Sequence, residues 1–253
     1  MTAEALITVM RHGHAPPRRS HAPRKLDLAL YQSDPPIADL AAQLTAPGAP
    51  VDFSLLLTGP PGTGKTALAH HLARALDRPL EVKRASDLMS KWVGETEQRI
   101  AQAFADAADQ GHVLLFDEVD SLLLDRRTSQ RRWEISQVNE FLAWMDGHPA
   151  PFIAATNHDG KLDPAAMRRF DFKLVLEPLD REQVALAWRR FFGGRAPEAL
   201  GDIPGLTPGD FAVVARQLRF ENRPDGGEIL KRLEVETRAR PNRPGRMGFH
   251  ASV

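Results

Sequence analysis

Five compact apolar runs, each followed by a stretch where apolar side chains return every three or four positions, set the frame of this 253-residue chain. The runs are VDFSLLL (51–57), PLEVKRA (79–85), HVLLFDE (112–118), PFIAATN (151–157) and FDFKLVLEP (170–178), and their length and apolar density predict buried strands. Between them Leu68, Leu72 and Leu76, then Ile100 and Phe104, then Ile135, Val138, Leu142 and Met145 fall at helical spacing. Strands that alternate with helices and are apolar on both faces predict a parallel sheet covered by helices on both sides. Past Pro178 only helical spacing remains: Val184, Trp188 and Phe191; Phe211, Val214 and Leu218 after a Thr207-Pro208 start; Ile229 and Leu233. The expected organisation is an α/β domain over 51–177 followed by a small all-helical domain with a tail over 178–253. Residues 1–50, rich in Pro, His and Arg, show no sustained period and are expected to be a mostly irregular arm with one short element at Ile37–Leu44.

Composition narrows the class. With 42% hydrophobic and 26% charged residues the chain is an ordinary globular protein. No apolar run approaches the roughly 18 residues of a membrane span, and Met1–Met10 lacks a basic start and apolar core, so a soluble cytoplasmic protein is expected. The absence of cysteine excludes disulfides, thiolate zinc sites and Cys nucleophiles. Net charge is zero, which makes no overall case for nucleic acid. Two local basic clusters stand out, Arg11, Arg18, Arg19, Arg24 and Lys25 in the arm, and Arg126, Arg127, Arg131 and Arg132. The stretch ITVMRHGHA (7–15) resembles the Arg-His-Gly signature of histidine phosphatases, but Pro16 and Pro17 follow at once and the rest of the chain is committed to a different fold.

The first strand runs into GPPGTGKT, Gly59 to Thr66, a full match to G-x-x-x-x-G-K-[ST] between a strand and a helix. Gly59, Gly62 and Gly64 permit the backbone of Gly59, Pro60, Pro61, Gly62, Thr63 and Gly64 to curl its N–H groups inward around phosphate, and the helix that carries Lys65, Thr66 and Ala67 adds its positive end. Lys65 is expected to reach the β and γ phosphates of ATP, and Thr66 to ligate Mg²⁺. The third strand ends in Asp117 and Glu118, where open α/β sheets bind ligands. Asp117 is expected to hold Mg²⁺ and Glu118 to orient and deprotonate the attacking water. The fourth ends in Thr156 and Asn157, and Asn157 is expected to hydrogen-bond the γ-phosphate or that water.

Taken together, GPPGTGKT, SKWVGETE, LLFDEVDSLL, FLAWMDG, AATN and LDPAAMRRFD resemble, in order and spacing, the AAA clade of the AAA+ ATPases, strongly over 51–171 and more loosely through the helical segment that would be its lid. The resemblance implies the P-loop NTPase sheet with a helical lid, ATP hydrolysis with Mg²⁺, and a homo-oligomer on ATP binding, in the form of a hexameric ring. It implies that Lys91, Trp92, Val93 and Gly94 form a loop facing a central pore, where an aromatic face can grip a polypeptide substrate or adaptor without needing a particular hydrogen-bond partner. Packing of Trp92 as a core anchor is the alternative. Arg168 and Arg169 fall where the family carries arginines that act on a neighbour's nucleotide; the segment is contracted here, which leaves the choice between them open. Gly209 falls in the lid helix that approaches the nucleotide, Asp146 and Gly147 where subunits relay signals, and Asp125–Arg132 on a second pore-facing loop. A competing expectation is a nucleotide-switched assembly or nucleic-acid-associated factor that uses the basic arm.

Overall fold

The strand over Ser54–Thr58 (β2) shows how the sequence builds the fold: Leu55 and Leu57 point to one side and Leu56 to the other, and all three are fully buried. Such a strand requires cover on both faces. In the computed structural model, which describes residues 26–90, 92, 94–125, 132–158, 160, 162–220 and 225–239, it receives that cover. The other strands are β1 (Gln32–Asp34), β3 (Leu80–Arg84), β4 (Val113–Asp117), β5 (Phe152–Thr156) and β6 (Phe172–Glu177). Their order in the sheet is β1-β6-β2-β5-β4-β3. Strands β2 to β6 are mutually parallel where they pair, and only β1 runs antiparallel, against β6. The chain therefore leaves β2 for the far edge, returns to its neighbour β5, and then crosses to its other side as β6. That reversal opens a crevice at the carboxyl ends of β2, β5 and β4.

Helices α1 (Ile37–Leu44) and α2 (Lys65–Ala75) cover the face carrying Leu55, Leu57, Leu115 and Ile153. The opposite face packs against α4 (Glu95–Gln110), α5 (Arg132–Met145) and α6 (Pro164–Arg169), with the short α3 (Ala85–Leu88) between β3 and α4. Its centre is aromatic: Phe104, Phe116 and Phe141 meet with ring centroids 4.7 to 5.3 Å apart, the tilted and edge-on contacts that ring quadrupoles favour. Strand β6 departs from the two-sided burial expected of it; Lys173, Val175 and Glu177 are exposed while Leu174 and Leu176 are buried.

Beyond β6 the regular elements among the described residues are helical, as the spacing predicts: α7 (Arg181–Phe191), α8 (Pro208–Gln217) and α9 (Gly226–Arg238) enclose Trp188, Leu206, Phe211 and Leu233. Their starts are specified locally, by an Asp180–Gln183 capping box, a Thr207–Asp210 capping box with Pro208 in the first turn, and Asp225 accepting from the Glu228 N–H. Thr207 and Asp210 are thereby assigned as a cap in the lid.

The expectation of a mostly irregular segment before residue 51 is corrected over residues 26–46. A 3₁₀ turn (Leu28–Leu30), β1 and α1 occupy it, and α1 matches the expected element. The reason is packing rather than periodicity: Leu30 joins the lid core while the adjacent Tyr31 joins the core beneath the sheet. Gln183 of α7 secures this strap by donating to the carbonyls of Ala29 and Tyr31 at 3.2 and 3.0 Å. The basic and RHG-containing part of the arm, Lys91, Val93, the Arg126–Arg131 cluster and the residues after 239 lie outside the described residues.

Candidate active site

The loop after β2 turns because its glycines take backbone angles that side chains disfavour. Gly64 has φ 93° and caps α2 in the left-handed region. A methyl group there would also lie 2.4 Å from the Tyr31 hydroxyl, which donates to the Gly64 carbonyl at 3.1 Å. Burial pushes the Tyr31 phenol above its ordinary range, so it stays a neutral donor. Lys65 begins α2 and folds back into the loop, donating to the carbonyls of Gly59 and Pro60 at 2.7 and 3.0 Å. At 8% exposure its ammonium loses hydration, and its pKa falls from 10.5 to about 8, with the Asp117 carboxylate opposing the shift. The result is a desolvated cation beneath a ring of backbone, suited to a phosphate group.

Across the crevice, Asp117 ends β4. Its Oδ2 accepts from the Thr66 hydroxyl at 3.0 Å and its Oδ1 from the Glu118 N–H at 3.1 Å. A hydroxyl and a carboxylate oxygen so disposed form an all-oxygen pair of the kind Mg²⁺ takes while keeping several of its waters, so these residues fit the ion. Glu118 is exposed and sits in the left-handed region at φ 58°, ψ 40°. Asn157, just past β5, faces the same space.

These groups line one cavity of about 950 Å³. Of the residues predicted to bind nucleotide, Pro61, Gly62, Gly64, Lys65, Thr66, Ala67, Asp117, Glu118, Asn157 and Gly209 line it. Gly59, Pro60 and Thr63 stand behind the lining; Gly59 and Pro60 hold Lys65, and Thr63 donates to the Pro60 carbonyl at 2.9 Å. The lid reaches the loop through Gly209, whose N–H donates to the Gly62 carbonyl at 2.9 Å, and a Cβ at 209 would approach Gly62 Cα to 2.7 Å. Glycine is the residue that permits this contact.

Eight of the eighteen residues that line the cavity are not among those predicted to bind nucleotide. Leu26, Asp27, Leu30 and Tyr31 of the strap, together with Arg190, Phe191, Pro208 and Ala212 of the lid, close its far end. Asp27 and Arg190 form an ion pair across it at 3.0 Å. Tyr31 is the sole tyrosine of the chain and comes after alternating leucines at 26, 28 and 30, the one signal that could have marked this segment as ordered.

The remaining residues sit elsewhere. Trp92 is 72% exposed, so it anchors no core. Its backbone N–H donates to Ser90 Oγ at 3.2 Å; the Ser90 hydroxyl in turn donates to Glu95, which pairs with Arg99 at 2.7 Å. Gly94, at φ 84°, starts α4. Arg168 and Arg169 are exposed at the end of α6 and do not line their own chain's cavity. Arg169 Nε donates to both carboxylate oxygens of Asp146, at 2.8 and 3.0 Å.

Residues 55–178 match the family described as ATPase family associated with various cellular activities (AAA). Similar curated proteins include Spastin of Anopheles gambiae, 35% identical over 66% of this chain and 22% of that protein. Protein SAV of Sulfolobus acidocaldarius is 40% identical over 50% of this chain and 17% of that protein, and Fidgetin-like protein 1 of Drosophila melanogaster 38% identical over 51% and 26%. The matched region thus spans about a quarter or less of each relative. Among solved structures, a chain of the E. coli MS115-1 HORMA:CdnC:Trip13 complex superposes with a TM-score of 0.59 at 24% identity, over 78% of this chain and 76% of that one, a likeness of fold.

Proposed function

For a chain that belongs to the AAA family of ATPases through residues 55–178, we propose that it hydrolyses ATP in the cavity between sheet and lid and, as a ring, uses the energy to remodel a polypeptide. What carries the hydrolytic reading is the meeting of Lys65, the Thr66–Asp117 pair, Glu118 and Asn157 in one cavity. The loop N–H groups and Lys65 bind the β and γ phosphates, and Lys65 exchanges its two carbonyl acceptors for phosphate oxygens. Thr66 and Asp117 would hold Mg²⁺, which supplies charge neutralisation at the phosphates when bound. Glu118 takes the proton of the attacking water and Asn157 orients that water against the γ-phosphate.

The ring reading rests on a different observation. The arginines at the end of α6 are exposed and do not line their own chain's cavity, a placement suited to a neighbour's nucleotide. Arg169 is held by Asp146 within its own chain, which leaves Arg168 as the better-placed donor and Arg169 as its anchor. Trp92, held out from the end of the sheet on a braced turn, is suited to grip a polypeptide.

The hydrolytic reading is tested by phosphate release from the purified full chain. Mg²⁺-dependent turnover that is lost in Lys65→Ala and in Glu118→Gln, with ATP binding kept in Glu118→Gln, is the expected result. Normal ATP affinity in Lys65→Ala would contradict it.

A further inference from the structure

On the hydrolytic reading Glu118 and Asn157 act on one water, yet they follow different strands, and the sheet ladder that could align them stops short of both. The last register pair between β4 and β5 is Asp117 with Ala155. Past it β4 gives way to a turn at once and β5 does so after Thr156. On the β4 side Glu118 holds a left-handed backbone, disfavoured for a residue with a Cβ, and leads into the 3₁₀ turn Val119–Ser121. On the β5 side the turn begins at Asn157.

One hydroxyl joins the two turns. Thr156, only 1% exposed, donates from Oγ1 to Asp120 Oδ1 at 2.7 Å. The same oxygen accepts from the His158 N–H at 2.9 Å, which closes a side-chain turn around Asn157. The Ser121 N–H donating to the Glu118 carbonyl at 3.3 Å closes the other side. The short, part-buried Thr156–Asp120 bond therefore continues the strand pairing past the end of the ladder, at the point where Glu118 and Asn157 branch toward the cavity.

We propose that Thr156 and Asp120 are positioning residues of the ATPase site: their hydrogen bond fixes Glu118 relative to Asn157 and so governs the hydrolytic step rather than nucleotide affinity. The assignment rests on the hydrolytic reading of the cavity. Neither side chain lines that cavity, so neither contributes directly to binding. A threonine serves where an alanine or valine would not, because its hydroxyl can donate to one turn while accepting from the other.

The test compares Thr156→Val, which keeps the shape and removes the hydroxyl, with Thr156→Ser, which keeps the hydroxyl, and with Asp120→Ala, which removes the acceptor at the less buried end. Turnover, affinity for a fluorescent ATP analogue and thermal midpoint are measured on the full chain. The expected result for Thr156→Val is a fall in kcat of about 100-fold, the scale of a small misplacement of reacting groups, with analogue affinity unchanged and Thr156→Ser restoring most of the rate. Asp120→Ala is expected to lower kcat in the same direction, and the double variant to be no worse than Thr156→Val alone. Wild-type kcat in Thr156→Val or in Asp120→Ala overturns the assignment. So does a loss of rate and affinity together in step with a lowered thermal midpoint, the mark of a merely structural role. A parent chain that turns over no ATP at any protein concentration would instead overturn the hydrolytic reading, and the assignment with it.

Discussion

Lys65 shows how burial converts a common side chain into a sensitive one. Held at a pKa of about 8 by desolvation, it is protonated below that pH and becomes neutral above it. Phosphate binds the charged form, so ATP affinity is predicted to weaken as pH rises through 8, approaching about tenfold per pH unit well above it. Titration calorimetry at pH 7, 8 and 9 checks this, and proton uptake on binding should appear at the upper end. The effect on folding has the opposite sign. Between about 8 and 10.5 the unfolded chain holds a proton that the folded one has lost, so Lys65's contribution makes the nucleotide-free protein more stable as pH rises across that window. Glu118 presents the other residue-scale cost, a left-handed backbone worth about 1–2 kcal/mol against a non-glycine residue. Glu118→Gln is predicted to retain ATP binding and lose roughly 10²- to 10⁴-fold in turnover, the usual share of a general base; unchanged turnover removes it from that role. These residues were legible in the sequence because a P-loop's spacing is its chemistry: Gly59 to Thr66 are consecutive, and the carboxylates come directly after an apolar run. Asp27, Tyr31 and Arg190 were not, because they meet at the cavity only after lid and strap have folded.

The elements decide which of these side chains can act together. Strands β2, β4 and β5 could be read from apolar runs because both faces are covered, which leaves few polar positions to break the run. The strap could not, since its three-residue strand is too short for a period and its burial is divided between two cores at Leu30 and Tyr31. Its importance is testable: Leu30→Ala removes a buried side chain from the lid core and is predicted to cost about 2–5 kcal/mol, read as a lowered midpoint in urea. At the end of α6, the Arg169–Asp146 pair predicts unequal arginines. Arg168→Ala should lower turnover by roughly 10³-fold or more, as loss of a trans-acting guanidinium does, with ATP affinity kept, whereas Arg169→Ala acts by loosening the end of α6 and should cost less. Equal losses in steady-state assays would reject that division of labour. The Trp92 turn is braced by Ser90, Glu95 and Arg99, so Trp92→Ala should leave basal hydrolysis intact and abolish its stimulation by a permanently unfolded polypeptide. Stimulation equal to the parent would leave Trp92 without the gripping role.

For the whole molecule, sheet, strap and lid converge on one nucleotide-sized cavity, and the lid reaches the P-loop directly through Gly209 and Gly62. Nucleotide bound there would touch all three parts at once, a geometry in which its loss can reorient the lid and whatever the lid contacts. The fold class was readable from the alternation of strand and helix signals, whereas the antiparallel β1 at the sheet edge, which makes the sheet mixed, was not. On the proposed reading the arginines at the end of α6 act on a neighbour's nucleotide, and a site that needs a neighbour's guanidinium would be incomplete alone. The most direct test is therefore specific ATPase activity measured across a wide range of protein concentration, with Glu118→Gln as the blank. Activity per subunit that climbs with concentration and then levels off is the predicted result; activity that is present but flat from the most dilute sample upward would contradict completion of the site in trans.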